Sequence, residues 1–202
     1  MDSYQKEQFD ALKMVVDHLN RHTVDEQREL RATIQAYMDF RIRVDRFLNR
    51  HFSRVCTTSC FQSQRSACCS RDGIITFFAD VVVNFLMSRP EEIASLFRVL
   101  QAPHKGFKCV YLGPKGCLWR VKPIVCQMFL CDPAMRAVFA HNPETGAQWE
   151  VLKKEAQGFK WPDRPVLFDA LEKHFLDAGL RSTLMYLHTS PGLLRVKKRA
   201  GL

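Results

Sequence analysis

Apolar residues recur at helical spacing through most of this chain, and this pattern predicts a mainly α-helical fold. A first amphipathic helix is expected to begin after Ser3 and to end near residues 20–22, because its apolar residues lie three or four positions apart: Phe9, Leu12, Val16 and Leu19. Thr23 and Glu26 form a capping-box pattern that predicts the start of a second helix. Because Gly and Pro are absent from the residues that follow, this helix is expected to reach about Phe52 and to pack against the first as an antiparallel pair.

Polar loops and short helices are predicted for the middle of the chain. Residues 56–70 are rich in Ser, Thr and Gln and show no periodicity, which predicts a loop. The apolar stretch at residues 74–87 predicts a buried helix, or a strand followed by a helix, although it contains Asp80 and Asn84. A second capping-box pattern at residues 88–91 predicts the helix that follows.

A short β-hairpin is predicted around the turn at residues 113–116. If these four residues close a regular ladder, Leu112 opposes Cys117, and Cys109 points to the other face because side chains alternate along a strand. The sequence therefore predicts either an irregular turn or two cysteines that serve different partners.

Helices with intervening turns are predicted for the rest of the chain. A helix opened by Pro123 is expected to carry Cys126 and to be interrupted at the Asp-Pro pair 132–133. Beyond it the pattern predicts two turns and two helices: turns at residues 141–146 and 158–162, a helix that starts at Asp163 with Pro165 and closes at Gly179, and a last helix at residues 182–188.

Length and composition predict one compact domain. A chain of 202 residues is long enough to bury a core without metal, and a hydrophobic content of 47% excludes wholesale disorder. The expected fold is a single helical domain with an irregular cysteine-rich metal-binding core and one short β-hairpin. Its expected parts are an N-terminal helical pair at residues 1–55, a cysteine-cluster core at residues 56–132, and C-terminal helices with a basic tail at residues 133–202.

Neither a membrane span nor a secretory signal is predicted. The longest apolar stretch has 14 residues and includes two polar side chains, which is too short and too polar to cross a bilayer. Residues 1–10 lack the apolar segment of a signal peptide. We therefore expect a cytoplasmic protein.

The formal net charge of +9 is concentrated in part near the C-terminus, where four basic residues fall within five positions: Arg195, Lys197, Lys198 and Arg199. Metal-bound cysteines are thiolates, and their negative charge would offset part of this positive charge. We expect this tail to be a solvated, frayed terminus, and nucleic-acid binding is not favoured.

The cysteines provide the main chemical signal. All eight lie between positions 56 and 131: Cys56, Cys60, Cys68, Cys69, Cys109, Cys117, Cys126 and Cys131. In a reducing compartment thiols stay free unless they bind metal or do redox work. Packing of small apolar side chains does not account for such crowding or for the adjacent pair. We therefore predict that all eight bind metal.

The grouping of these ligands stays open at the level of sequence. Cys56 and Cys60 share a helix face or a single turn. The adjacent Cys68 and Cys69 reach one metal only if the backbone turns sharply; otherwise each serves its own. Two closed sites of four cysteines are possible, and so is one site with two ligands from each half.

The cysteine pattern resembles that of a known family. The matching residues are the run from Cys56 to Cys69, Cys109 with Gly116-Cys117, Lys122-Pro123-Ile-Val-Cys126, and Cys131. In these residues the chain resembles the YkgJ-type cysteine-cluster family, whose early C-x-x-C-x-x-C-C run belongs to a domain described as zinc- or iron-chelating. This chain differs from that pattern because its early run is longer, and because Lys122 and Gln127 stand where arginine is common.

The resemblance implies an iron–sulfur cluster, with [4Fe-4S] as one form, or zinc. Because C-x2-C pairs of the kind that zinc knuckles use are absent, the spacing favours the cluster. His51 and His104 each precede a cysteine by five residues, and we interpret this as coincidence.

Three functions follow as hypotheses. The first is a metal-binding cysteine-cluster protein. The second, implied by relatives associated with flagellin lysine methylation, is an iron–sulfur-dependent protein-modifying enzyme; no cofactor loop or acid–base pair in the sequence adds to it. The third is a module that binds a protein partner through its helices and basic tail, with a structural metal.

Overall fold

Helices form most of the structure. The computed structural model describes residues 3–71, 75–160 and 164–202. Within these ranges the chain forms eleven α-helices, one π-helix and one antiparallel hairpin of two strands, in the following order: α1 (Ser3–Leu19), α2 (Val24–Thr33), α3 (Gln35–Phe52), the π-helix (Ser53–Phe61), α4 (Phe78–Met87), α5 (Pro90–Gln101), β1 (Leu112–Gly113), β2 (Gly116–Cys117), α6 (Ile124–Gln127), α7 (Asp132–Phe139), α8 (Pro143–Lys160), α9 (Leu167–Asp177), α10 (Tyr186–Thr189) and α11 (Pro191–Arg199). The prediction of a mainly α-helical domain with one short hairpin is confirmed.

The first helix packs against α4 and α5. Its buried side includes Leu12 and Leu19, as the apolar spacing predicts, together with Val15, whereas Phe9 and Val16 are partly buried. The buried Gln5 side chain donates hydrogen bonds to the carbonyls of Leu100 (3.1 Å) and Ala102 (2.9 Å), which satisfies acceptors at the end of α5. The main contacts of α1 are therefore made with later helices rather than with the helix that follows it.

The second helix predicted from the sequence is divided in two at Ile34. The capping box that begins it is confirmed: the Glu26 amide donates to Thr23 Oγ1 (3.2 Å), and the Thr23 amide donates to Glu26 Oε2 (2.7 Å). Thr33 Oγ1 donates to the Glu29 carbonyl (2.9 Å), a bond of the kind that bends helices. The expectation of one uninterrupted helix to Phe52 is therefore wrong.

Helical structure then continues where the sequence predicts a loop. The π-helix extends from the end of α3 to Phe61, so that the first two cysteines lie on a helical segment. Residues 75–77 are not helical and α4 begins at Phe78, while Ile74 lies outside the described residues. The capping interaction of α5 lies one residue later than expected, because the Arg89 amide donates to Glu92 Oε2 (2.8 Å).

The hairpin has the expected register, with Leu112 opposite Cys117. Pro123 is the N-cap of α6, which carries Cys126 as predicted. The Asp-Pro pair at residues 132–133 does not interrupt that helix; it begins α7, where proline in the first turn is compatible with helix geometry.

The C-terminal part is more helical than the sequence predicts. Residues 143–146 and 158–160 belong to α8, so the first predicted turn is wrong beyond residue 142, and residues 161–163 lie outside the described part. The predicted closure after α9 is confirmed, since Gly179 adopts a positive φ of 77° there. The basic tail forms α11 rather than a frayed terminus, and its Lys197 is buried and paired with Asp169.

One hydrophobic core unites these helices. Aromatic side chains from distant parts of the chain meet in it, for example Tyr37 with Phe168 at 5.5 Å between ring centroids and Phe47 with Trp149 at 5.4 Å. In the part of the chain that the structure describes, we find no helix with the length and apolar character that crossing a membrane requires.

Candidate metal centre

The π-helix and the turn after it place the first four cysteines. The Cys60 carbonyl accepts hydrogen bonds from the amides of Arg65 (2.9 Å) and Ser66 (3.2 Å), and the Ala67 amide donates to Cys60 Sγ (3.4 Å). Gln64 and Ser66 have positive φ angles of 62° and 38°, which is uncommon for residues other than glycine. The chain therefore turns sharply before the adjacent cysteine pair.

A short antiparallel contact joins the two halves of the cysteine-rich region. The Cys109 amide donates to the Cys69 carbonyl (3.0 Å), and Ser70 forms a bridge with Lys108. The Arg71 amide donates to the Phe107 carbonyl (2.8 Å). Cysteines that lie 40 residues apart in sequence are thereby held next to each other.

Cys109 lies before the hairpin, in a turn of its own. Its carbonyl accepts a hydrogen bond from the Leu112 amide (3.0 Å), and its Sγ accepts one from the Tyr111 amide (3.4 Å). The alternation rule for strands therefore does not apply between Cys109 and Cys117. The hairpin turn at residues 113–116 closes in the regular register, so the irregular turn that the sequence offers as one alternative does not form.

Two polar side chains of α4 hold the segment between Cys117 and Cys126. Asn84 Oδ1 accepts a hydrogen bond from the Val121 amide (2.9 Å), and Asp80 Oδ1 accepts one from the Ile124 amide (2.9 Å). Asp80 and Asn84 are four residues apart and share one helix face. Asp80 Oδ2 also accepts a hydrogen bond from the Phe77 amide (3.0 Å), so one carboxylate anchors the starts of α4 and α6.

A buried arginine of α3 holds the same segment from the other side. Arg41 is 3% exposed and donates hydrogen bonds to the Tyr37 hydroxyl (2.6 Å), the Gln127 side chain and the Lys122 carbonyl. Gln127 in turn donates to Asp45 Oδ1. Because Lys122 and Gln127 lie on opposite sides of Cys126, this guanidinium fixes the loop that presents the thiol.

We expect the R41M variant to lower the free energy of unfolding by about 3 kcal/mol, because the change leaves several buried polar groups without their cationic partner. Urea unfolding followed by circular dichroism measures this loss. R43M is the matched control on the same helix, since Arg43 forms a half-exposed ion pair with Glu155 and its loss is expected to cost less than about 1 kcal/mol. Equal losses in R41M and R43M would contradict the anchoring role of Arg41.

The thiols that act on the pKa of Cys56 and on that of Cys69 define two sets of four cysteines, which are coupled to each other at the adjacent pair. Burial raises the pKa of the Cys56 thiol, and the charges of three other thiols add to the rise; these four form the first thiol set, namely Cys56, Cys60, Cys68 and Cys131. Burial also raises the pKa of Cys109 to about 12 and that of Cys126 to about 11, with further increases from neighbouring thiols. The second thiol set consists of Cys69, Cys109, Cys117 and Cys126.

The two sets meet at the adjacent pair. The Cys68 thiol donates a hydrogen bond to Cys69, which raises the pKa of Cys68 and lowers that of Cys69. Cys68 also adds to the raised pKa of Cys126 across the boundary. Of the arrangements that the sequence leaves open, the backbone geometry supports those that join the two halves, since the Cys109 amide bonds to the Cys69 carbonyl.

The ammonium group of Lys122 acts on thiols of both sets. Its charge opposes the rise in pKa of four thiols: Cys56, Cys68, Cys117 and Cys126. Backbone amides act in the same direction, since the Trp119 amide bonds to Cys117 and the Tyr111 amide to Cys109. An ammonium group and N–H donors stabilise thiolates, the form in which cysteine binds metal.

The thiols are free and at least partly exposed. All eight, each within the described residues, are free; Cys56, Cys68 and Cys126 are exposed, and the other five are intermediate. Over the described ranges, three or more potential ligand atoms come within 4.8 Å of one another only in a group of histidines, so no three cysteine sulfurs are that close together. The donor set suits soft metal ions.

The two histidines that precede cysteines have other contacts. His104 Nε2 lies 2.7 Å from the Lys108 carbonyl, and the His51 ring packs on Phe47 at 4.9 Å between centroids.

Comparison of this chain with protein-family models, with curated proteins and with solved structures finds no match. The resemblance to the YkgJ-type family therefore stays a prediction, based on the cysteine pattern alone.

Sequence analysis missed the residues that position the centre. Arg41, Asp80 and Asn84 each interrupt an otherwise apolar stretch, and this interruption was the available signal. Their hydrogen-bond partners near the cysteines lie 37 to 86 residues away in sequence. A polar residue within an apolar helix indicates an unknown buried partner, and only the fold identifies it.

Proposed function

We propose that this protein binds metal as thiolate-coordinated iron–sulfur clusters, one at each thiol set. The observation that carries this proposal is the gathering of eight free cysteines from two halves of the chain around the backbone contact between Cys69 and Cys109. Four cysteine thiolates are the usual complement of one [4Fe-4S] cluster. The N–H donors to Cys60 and Cys109 support the assignment, since hydrogen bonds to the sulfurs also tune such clusters.

The spacing of the thiols favours a cluster over zinc. In a tetrahedral site with Zn–S bonds of about 2.3 Å, the four sulfurs stand only about 3.8 Å apart. A cubane cluster keeps its four cysteine sulfurs farther apart, because four iron atoms lie between them. The cysteine spacing along the sequence, which lacks the C-x2-C pairs of zinc knuckles, supports the larger group.

The position of the centre suits exchange with an outside molecule. A bound iron–sulfur cluster supplies one-electron transfer or, with an open iron, Lewis acidity. The chain itself contributes the ligands, the nearby ammonium of Lys122 and an exposed position at the surface, where three thiols meet solvent. Direct access of this kind is what transfer to a partner protein requires.

A second function, docking of a protein partner at the centre, is favoured by two exposed aromatic side chains. Phe107, next to the strand-like contact at Lys108, is 92% exposed, and Phe129, between Cys126 and Cys131, is 52% exposed. Exposed phenylalanines beside a functional site often mark a contact surface. This surface is compatible with the metal-binding proposal and adds a partner to it.

Anaerobic purification followed by metal and sulfide analysis tests the proposal. We expect about eight iron and eight sulfide per chain, since each [4Fe-4S] cluster takes four cysteine ligands, together with a broad visible absorption band. Four iron per chain would support one cluster and contradict the two-set arrangement. A colourless protein with two zinc ions would replace the clusters by zinc sites, and a chain with neither metal would overturn the proposal.

A further inference from the structure

A cluster of three histidines lies at the end of α1 that is remote from the candidate metal centre. His18 belongs to α1, His22 to the turn that follows, and His174 to α9, and one ring nitrogen from each lies within 4.8 Å of the others. The opposite end of α1 carries Tyr4, whose raised pKa reflects burial and also the charges of Cys109 and Cys126. Because Tyr4 and His18 are 14 residues apart, about 21 Å of helix separates the two regions.

We propose that His18, His22 and His174 form a second metal site, which binds a divalent cation of the zinc type. Three imidazoles suit Zn²⁺ and its borderline neighbours in the first transition row, and a site with three protein ligands leaves one coordination position for water or another ligand. This site uses none of the cysteines and is independent of the metal that they hold.

The distance between two of the rings matches the geometry of such a site. His22 Nε2 and His174 Nε2 lie 3.2 Å apart. Two nitrogens bound to a tetrahedral zinc ion at about 2.0–2.1 Å stand about 3.4 Å apart. A cation therefore fits between the two nitrogens with only a small movement of the side chains, in place of the hydrogen bond that otherwise joins them.

The hydrogen bonding of His22 directs its lone pair towards that position. His22 Nδ1 lies 3.1 Å from the His18 carbonyl, which accepts a bond from the protonated Nδ1 and leaves Nε2 as the nitrogen with the lone pair. Metal-binding histidines characteristically donate their other N–H to a carbonyl or carboxylate. His22 is thus held in the tautomer that a metal requires.

The third histidine supplies a buried nitrogen that lacks a partner. His18 Nε2 is fully buried and makes no hydrogen bond within the described structure. Its ring centroid lies 4.7 Å from that of His22 and 5.4 Å from that of His174, in tilted or edge-on orientations rather than flat stacking. An unsatisfied imidazole nitrogen beside two convergent imidazoles points to a ligand.

The surrounding charges and the exposure of the cluster suit a cation. Burial and the other two histidines lower the pKa of His18, which keeps its ring neutral and able to bind metal. The carboxylates of Asp177 and Glu26 influence the pKa of His174, so negative charge lies nearby, whereas Arg21 opposes it. All three histidines are partly exposed, which leaves a route for an ion from solvent.

Zinc titration of the full-length protein, with its cysteine metal in place, tests this site. We expect isothermal titration calorimetry to show one further Zn²⁺ per chain, and the ion to raise the melting temperature because it joins α1, the following turn and α9. H174A and H22A are expected to weaken this binding by at least about 100-fold, since each removes a ligand. H141A, which changes an exposed histidine in the turn before α8, is the matched control and keeps wild-type binding.

Two outcomes would overturn the proposal. One is a wild-type protein that takes up no Zn²⁺ beyond the metal at its cysteines. The other is wild-type affinity in both H174A and H22A, measured in samples whose cysteine-bound metal equals that of the wild type. If H174A does not fold, H22A decides the matter alone, because its residue lies in the turn beyond α1 rather than within a helix.

Discussion

We expect C117S and C131S each to remove about half of the metal that the protein binds, and the double variant to remove nearly all of it. Cys131 belongs to the first thiol set and Cys117 to the second, so each substitution disables one site and leaves four ligands at the other. Serine keeps the size of the side chain, but its hydroxyl is a far poorer ligand than a thiolate for iron or zinc. Iron, zinc and sulfide analysis of anaerobically purified variants measures the effect.

K115S is the control for these variants, because Lys115 lies at the tip of the hairpin and is not a candidate ligand.

The same experiment distinguishes the alternatives that the sequence leaves open. A single site built from both halves predicts that at least one of C117S and C131S abolishes all of the metal. If either variant kept the full wild-type content, the assignment of that cysteine as a ligand would be wrong.

The helical fold was predictable because it depends on local patterns. The apolar spacing of α1, the capping box of Thr23 and Glu26, and the glycine closure after α9 each involve residues within a few positions of one another. Where the prediction was wrong, a local signal was weak or absent. The local signal for the division at Ile34 is limited to the Thr33 side chain. The π-helix forms in a stretch whose sequence lacks helical periodicity.

The composition of the candidate site was predictable, but its arrangement was not. Cysteine crowding indicates the candidate ligands as a group. Their division into sets depends on the turn at Gln64 and Ser66 and on the contact between Cys69 and Cys109, which no spacing rule encodes. The histidine group was even less predictable from the sequence, since His22 and His174 are 152 residues apart and meet only through the packing of the helices.

We expect D80N to destabilise the fold and to loosen the metal centre together. Burial raises the pKa of Asp80 to about 6, so its carboxylate is ionised at neutral pH and both oxygens accept hydrogen bonds, from the amides of Phe77 and Ile124. An asparagine in the same place offers one oxygen and one NH₂ group, so one of these buried amides faces another donor. The loss of free energy of unfolding is expected to be roughly 2–4 kcal/mol.

The effect on the metal follows from the position of Ile124 at the start of α6, two residues before Cys126. Because the carboxylate fixes that turn to α4, D80N is expected to release metal to a chelator several times faster than the wild type, even at temperatures where the protein remains folded. Circular dichroism melting and the rate of metal transfer to a coloured chelator measure the two consequences. D10N is the matched control, since Asp10 is exposed and pairs with Lys6 on the surface of α1. If D80N had the melting temperature and the metal-release rate of D10N, the link between α4 and the cysteine loop would stabilise neither the fold nor the site.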